Sequence, residues 1–88
     1  MWEMQCYKFL LSNNIEFECQ YKIDLKVCKF IVDFKCIVNG KELLIDAKAS
    51  KSLLTPVYKL KKKYLKYFHD LDVIEVYKLG DLREVFDN

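Results

Sequence analysis

Hydrophobic and polar residues alternate through much of the first half of the chain, and this period of two predicts β-strands. Every second residue from 15 to 25 is hydrophobic, as in a strand with one buried face. A second alternating stretch, residues 30 to 48, is interrupted by Asn39 and Gly40, which tolerate the positive φ angles of a two-residue hairpin turn. We therefore predict three consecutive strands in an antiparallel meander.

The predicted turn also fixes the register of the hairpin. A two-residue loop pairs Val38 with Lys41, and counting back from this pair places Asp33 directly opposite Asp46. One face of the hairpin is then almost entirely hydrophobic, and we predict that it is the core face. It carries Phe30, Val32, Phe34, Cys36, Val38, Leu43, Ile45, Ala47 and Ala49.

Helical spacing of hydrophobic residues predicts one helix before the meander and one after it. The first spans residues 2 to 12, and the second begins at Thr55 and Pro56, a favourable cap followed by proline at the first helical position. The second helix is expected to bury a stripe at i, i+3, i+4 and i+7 spacing. The members of this stripe are Val57, Leu60, Tyr64, Tyr67, Phe68 and Leu71.

The end of the chain completes the predicted fold. Residues 73 to 77 read as a fourth strand, which follows the second helix and is therefore expected to join the sheet parallel to the strand that contains Asp46. Residues 80 to 88 are expected to form either one short helical turn or a frayed tail. The predicted fold class is α+β, in the order helix, three-stranded antiparallel meander, crossover helix and fourth strand.

Composition agrees with a single small domain. Of 88 residues 52% are hydrophobic, and the net charge of +2 is modest, so nucleic-acid affinity would depend on where the lysines lie. We find no apolar run of membrane-spanning length and no signal-peptide pattern, and we expect a cytoplasmic protein with no membrane contact. Its four cysteines are therefore expected to be reduced. One histidine and no Cys-x-x-Cys pair argue against a zinc site.

The predicted pairing of Asp33 with Asp46 is the first candidate for chemistry. Like charges opposite one another on a sheet cost stability, and a divalent cation such as Mg²⁺ bound between them would offset that cost. Lys48 lies two residues after Asp46 and projects from the same face, where it would act on a metal-bound water. The alternative is a solvated face with weak cross-strand salt bridges. The residues leave both interpretations open.

A second candidate is the lysine cluster of the second predicted helix. Five lysines fall within eight residues there, namely Lys59, Lys61, Lys62, Lys63 and Lys66. Such a helix beside a metal-binding face suits a phosphate backbone. A solvated helix face is the alternative explanation for any single lysine.

The order of elements, with Asp33 on one strand and Asp46-Ala47-Lys48 on the next, resembles the PD-(D/E)XK nuclease superfamily, which has a restriction-endonuclease-like core. The chain is more closely similar to small phage-encoded endonucleases of that superfamily, whose layout is like that of Holliday-junction resolvases. That similarity is carried by VDF, NGKELLIDAKAS and TPVYKLKKKYLKYF. It implies that residues 1 to 88 form one minimal nuclease domain.

The resemblance also implies roles for individual residues. Asp33, Asp46 and the backbone carbonyl of Ala47 would be metal ligands, Lys48 would act on the attacking water, and Glu3 would be the acid on the first helix. Alternatives for that acid are the polar residues of the next element, Glu16, Glu18 and Gln20. The implied DNA contacts are Lys51, Lys59, Lys61, Lys62 and Lys66.

The function that the resemblance implies is a DNA endonuclease that uses Mg²⁺ or Mn²⁺ and acts on duplex or branched DNA as a homodimer. Its expected location is the cytoplasm of a phage-infected or prophage-bearing bacterial cell. Two other functions remain open. One is a catalytically silent nucleic-acid-binding module of the same fold. The other is a small interaction regulator that docks through exposed tyrosines, drawn from Tyr58, Tyr64, Tyr67 and Tyr77.

Overall fold

The fold is seen in a computed structural model, which describes residues 2–50 and 54–86. The described residues form three helices and four strands in an α+β arrangement, as predicted. In chain order these are α1 (Trp2–Ser12), β1 (Glu16–Asp24), β2 (Lys29–Val38), β3 (Lys41–Ala47), α2 (Pro56–His69), β4 (Val73–Val76) and α3 (Leu79–Phe86).

The four strands form one mixed sheet in the order β1-β2-β3-β4. The first three are antiparallel neighbours, and β4 is parallel to β3 because α2 carries the chain back across the sheet. Asn39 and Gly40 have φ angles of 52° and 79°, and Val38 pairs with Lys41. The meander, the hairpin register and the parallel fourth strand are therefore confirmed.

Two hydrophobic clusters lie on opposite faces of the sheet. Helices α1 and α3 contribute to the cluster that contains Phe34 and Ile45, whereas α2 contributes Leu65 to the cluster that contains Leu44. Since Leu44 and Ile45 are adjacent in a strand, their side chains point to opposite faces. The sheet is therefore covered by α1 and α3 on one side and by α2 on the other.

The prediction of a single core face on the hairpin is wrong. Phe34 belongs to the cluster beneath α1, whereas Val32 belongs to the cluster beneath α2, although strict alternation would place both on one face. The change occurs at Asp33. Pairing of β1 with β2 is regular on both sides of Asp33 and its neighbour Gln20 but omits these two residues, and Gln20 has a φ of 51°. Both strands thus change face at this position.

The predicted buried stripe of α2 is also partly wrong. Val57, Leu60 and Tyr67 are 62%, 47% and 82% exposed, and Leu65 is the fully buried residue of the helix. The helix instead turns Tyr58 towards the sheet, because the hydroxyl of that residue bonds to a buried carboxylate. Hydrophobic spacing does not record this polar contact.

The segment of residues 80 to 86 is more ordered than either expectation, and residues 87 and 88 of the predicted segment lie outside the described residues. It forms α3, an eight-residue helix whose Leu82 is fully buried. Asp81 holds the start of the helix, since its carboxylate accepts hydrogen bonds from the backbone N–H groups of Tyr77 and Lys78.

None of the four cysteines forms a disulfide in the structure. Burial raises the pKa of Cys6 to about 11 and that of Cys36 to about 12, so both behave as core residues. Cys19 is exposed, which the strand pattern did not predict. Among the helices of residues 2–50 and 54–86, none is both long and apolar enough to cross a membrane.

Candidate active site

Two aspartates lie where β2 and β3 separate. Regular pairing of these strands ends at Phe34 and Ile45, one step before Asp33 and Asp46. Beyond that point the two aspartate side chains, and not backbone carbonyls, accept the hydrogen bonds between the strands. The N–H of Asp33 donates to Oδ1 of Asp46 at 2.9 Å, and the N–H of Ala47 donates to Oδ2 of Asp33 at 2.9 Å. The two carboxylates are therefore brought together, but as a crossed pair held by backbone groups.

This pair is shielded from solvent. Asp46 is 2% exposed and Asp33 is half-buried. Burial raises the pKa of Asp33, the hydrogen bond from Ala47 opposes that rise, and the charge of Asp46 adds to it. A buried pair of like charges costs folding free energy unless a cation accompanies it.

Lys48 supplies one positive charge beside the pair. Its Nζ is 3.7 Å from Oδ2 of Asp46, and it lies 4.3 Å from the centre of the Tyr58 ring. The backbone of Lys48 is fixed as well, because its N–H donates to the carbonyl of Val76 on β4. The ammonium group is thus held at the carboxylates by an ion pair, an aromatic ring and the end of the sheet.

Glu3 approaches the site from α1 on the other side of the pair. Nε2 of Gln20 donates to Oε2 of Glu3 at 3.2 Å and to Oδ1 of Asp33 at 3.4 Å. Burial and then the charge of Asp33 raise the pKa of Glu3. The structure therefore brings together Glu3 and one of its three alternatives, Gln20. The other two, Glu16 and Glu18, are exposed on β1.

Tyr58 and Glu75 also belong to this site, although neither was predicted to lie there from the sequence. The hydroxyl of Tyr58 donates to Oδ2 of Asp46 at 2.9 Å and lies 3.5 Å from Oε2 of Glu75. Burial, followed by the charges of Asp46 and Glu75, raises the pKa of Tyr58, so the hydroxyl stays protonated as a donor. Glu75 could have been predicted from the sequence, because the expected parallel pairing of β4 with β3 places Glu75 beside Asp46.

The oxygen atoms at the site suit a hard divalent cation. Asp33 and Asp46 provide carboxylates, and Ala47 turns its N–H towards β2. Its carbonyl faces the same way, because both groups of one strand residue point to the same side. No cluster of three or more His, Cys, Asp or Glu side chains suited to a metal occurs among the described residues. An ion here would take two carboxylates, one carbonyl and water.

A cleft of about 330 Å³ opens beside the carboxylates, between the start of β2 and the first turns of α2. Lys48, Lys29 and Lys61 line it together with Asp33 and Asp46. The remaining members of its wall are Phe30, Ile31, Thr55, Val57 and Tyr58. Three lysines and two aspartates therefore line the same cleft, and the excess of lysines favours an anionic ligand.

The lysines predicted to contact DNA are placed differently from one another. Lys61 lines the cleft, and Lys59 is exposed on α2. Lys62 is paired with Glu75 at 2.6 Å, and Lys66 lies within 3.3 Å of two exposed aspartates, Asp70 and Asp72. Lys51 lies outside the described residues. Lys62 therefore serves the internal network of the site in this structure.

Comparisons of the chain with protein-family models, with curated proteins and with solved structures give no match. Roles for the residues above therefore come from their geometry and chemistry.

Proposed function

We propose that this protein is a metal-dependent DNA endonuclease with a PD-(D/E)XK-type site formed by Asp33, Asp46 and Lys48. The proposal is carried by the shielded, crossed pair of aspartates, which backbone N–H groups hold together at the edge of a lysine-lined cleft. Holding two carboxylates together costs folding free energy, and one or two carboxylates are the protein ligands that Mg²⁺ commonly uses beside substrate phosphates.

The side chains divide the work of phosphodiester hydrolysis. Mg²⁺ or Mn²⁺ held by Asp33, Asp46 and the Ala47 carbonyl would supply Lewis-acid chemistry and a water of lowered pKa. Lys48, fixed 3.7 Å from Asp46, orients the attacking water or neutralises the phosphate. Tyr58 keeps the Asp46 carboxylate oriented through its hydroxyl. Glu3, on the far side of Asp33, is the further acid of the proposed site.

Branched DNA is the proposed substrate. The described residues form one four-stranded sheet with three helices, which offers little surface for reading a long base sequence, so structure-selective cutting suits this domain better. A homodimer would present two sites to opposite strands of a junction through one two-fold axis.

A catalytically silent DNA-binding module is the second candidate. It is favoured by the hydrogen bonding of the pair, since each carboxylate oxygen already has a donor within the protein. Gln20 and Ala47 serve the two oxygens of Asp33, and the N–H of Asp33 and the hydroxyl of Tyr58 serve those of Asp46. A self-sufficient network of this kind folds without a metal.

Cleavage assays separate the two candidates. We would incubate labelled four-way junctions, flaps and duplexes with wild type, Asp46→Ala and Asp72→Ala in Mg²⁺, Mn²⁺ and EDTA. The endonuclease requires metal-dependent cleavage that Asp46→Ala loses and that Asp72→Ala, a change of an exposed carboxylate, retains. DNA affinity of Asp46→Ala is expected to hold or improve, because the binding face loses negative charge. Cleavage retained by Asp46→Ala contradicts the proposal, and binding without cleavage in any metal favours the silent module.

A further inference from the structure

The outward side of α2 carries large hydrophobic side chains that the described residues cover only in part. Five residues border a groove of about 360 Å³ on this side, and we call them the aromatic face: Leu60, Lys63, Tyr64, Tyr67 and Phe68. Tyr67 is 82% exposed and Leu60 is 47% exposed. Such exposure of large apolar side chains along one helix indicates a binding surface.

The rings of the aromatic face support one another. Tyr67 packs edge to face on Phe68 with centroids 5.1 Å apart at 85°, and Phe68 lies 6.2 Å from Tyr64 at 30°. Lys26 reaches across from the β1–β2 connection to 5.3 Å from the centre of the Phe68 ring. Tyr67 therefore packs against Phe68 on one side, and most of its surface is exposed to solvent, where a ligand can reach it.

The charge of the helix selects among possible occupants. Helix α2 contains five lysines and no acidic residue. Lys59 and Lys63 are exposed, and no acidic side chain within the described residues pairs with them. A second copy placed face to face would oppose lysine with lysine, which costs free energy. A polyanion that also carries flat apolar groups complements both properties, and single-stranded nucleic acid has that composition.

The aromatic face lies further along the same helix than the proposed active-site cleft. Val57 and Lys61 line the cleft beside Asp33, and Tyr67 follows Val57 by ten residues, or about 15 Å along a helix. A strand that enters the cleft can therefore extend along α2 over a few nucleotides.

We infer that the aromatic face binds single-stranded DNA, with a base stacked on Tyr67 and neighbouring phosphates neutralised by Lys59 and Lys63. The identification of that strand as the unpaired arm of a branched substrate rests on the proposed nuclease function. The binding itself does not require cleavage or a metal.

Fluorescence anisotropy in EDTA tests the binding without cleavage. Labelled oligothymidine and a labelled blunt duplex would be titrated with wild type, Tyr67→Ala, Tyr67→Phe and Tyr7→Ala. Tyr7 is a matched control, since it is an exposed tyrosine on α1 at the opposite face of the sheet. Tyr67→Ala is expected to weaken oligothymidine binding about tenfold, which is about 1.4 kcal/mol. Tyr67→Phe and Tyr7→Ala are expected to bind as wild type, because each keeps the Tyr67 ring face.

Three outcomes would overturn the inference. They are unchanged oligothymidine binding by Tyr67→Ala, equal weakening by Tyr67→Phe and Tyr67→Ala, and equal loss of duplex and single-strand binding. The first of these outcomes, together with a dimer in sedimentation velocity that Tyr67→Ala dissociates, would assign the face to a second copy. Junction cleavage is measured separately. If cleavage is absent while the stacking result holds, the nuclease proposal fails and this inference stands.

Discussion

Replacing Tyr58 by Phe removes one hydroxyl from the site and little else. The ring of Tyr58 packs edge to face on Phe30 with centroids 5.6 Å apart, and Lys48 lies over its face. A phenylalanine keeps both contacts. The change therefore removes the hydrogen bond that the hydroxyl donates to Asp46 at 2.9 Å, together with its longer contact of 3.5 Å with Glu75.

The expected loss of stability follows from the burial of its acceptor. Hydrogen bonds to charged groups contribute about 1.5 to 3 kcal/mol, and Asp46 at 2% exposure has little access to replacement water. An unfolding entropy of about 2.1 cal/mol/K per residue gives about 0.18 kcal/mol/K for this 88-residue chain. Tyr58→Phe is therefore expected to lower the Tm by about 8 to 16 °C.

Thermal unfolding followed by far-ultraviolet circular dichroism in EDTA measures this change without metal effects. Tyr67→Phe is the matched control, because its hydroxyl belongs to a residue that is 82% exposed. The control is expected to melt with wild type. Equal melting of Tyr58→Phe and wild type would show that this hydroxyl does not hold Asp46, and would remove Tyr58 from the site.

Three further predictions concern the carboxylate pair and the core. The raised pKa of Asp33 means that its ionisation lowers the free energy of unfolding as the pH rises through the folded pKa. The Tm of Asp33→Asn, taken relative to that of wild type, is therefore expected to increase between about pH 4 and about pH 7. A Tm difference that stays constant over this range contradicts the prediction. Mg²⁺ at about ten times its Kd is expected to stabilise wild type by about 1.4 kcal/mol, or about 8 °C in Tm, and to leave the Tm of Asp46→Ala unchanged; equal Tm shifts refute a site there. Leu65→Ala is expected to lose about 2 to 5 kcal/mol in urea unfolding, whereas the exposed Leu60→Ala loses little; similar losses would mean that α2 packs differently.

Local chemistry was sufficient to predict the order of elements and the hairpin register. The turn at Asn39 and Gly40 admits one pairing, and that pairing brings Asp33 and Asp46 to the same place. The Thr55 cap likewise marks the start of α2, where its side chain accepts the N–H of Tyr58. Each of these features depends on residues close together in sequence.

Features that depend on distant partners were not predicted. The rotation of α2 follows from the bond between Tyr58 and Asp46, which joins residues from different elements, and so the hydrophobic spacing of Leu60 and Tyr67 was misleading. The positive φ of Gln20 had no signal either, since glutamine does not usually favour that conformation. The role of Gln20 is seen only in the structure, where its side chain donates to both Asp33 and Glu3.

The change of face at Gln20 and Asp33 has a mechanical consequence for the whole molecule. Because β1 and β2 each supply side chains to both hydrophobic clusters, neither cluster can loosen without pulling on strands that belong to the other. Asp33 lies where β2 changes face, and Asp46 is hydrogen-bonded to it, so the carboxylate pair depends on the packing of both clusters. We therefore expect heating, or a cavity created far from the site, to disorder the carboxylate pair before the whole molecule unfolds. We also expect that neither fragment of a cleaved chain keeps the site.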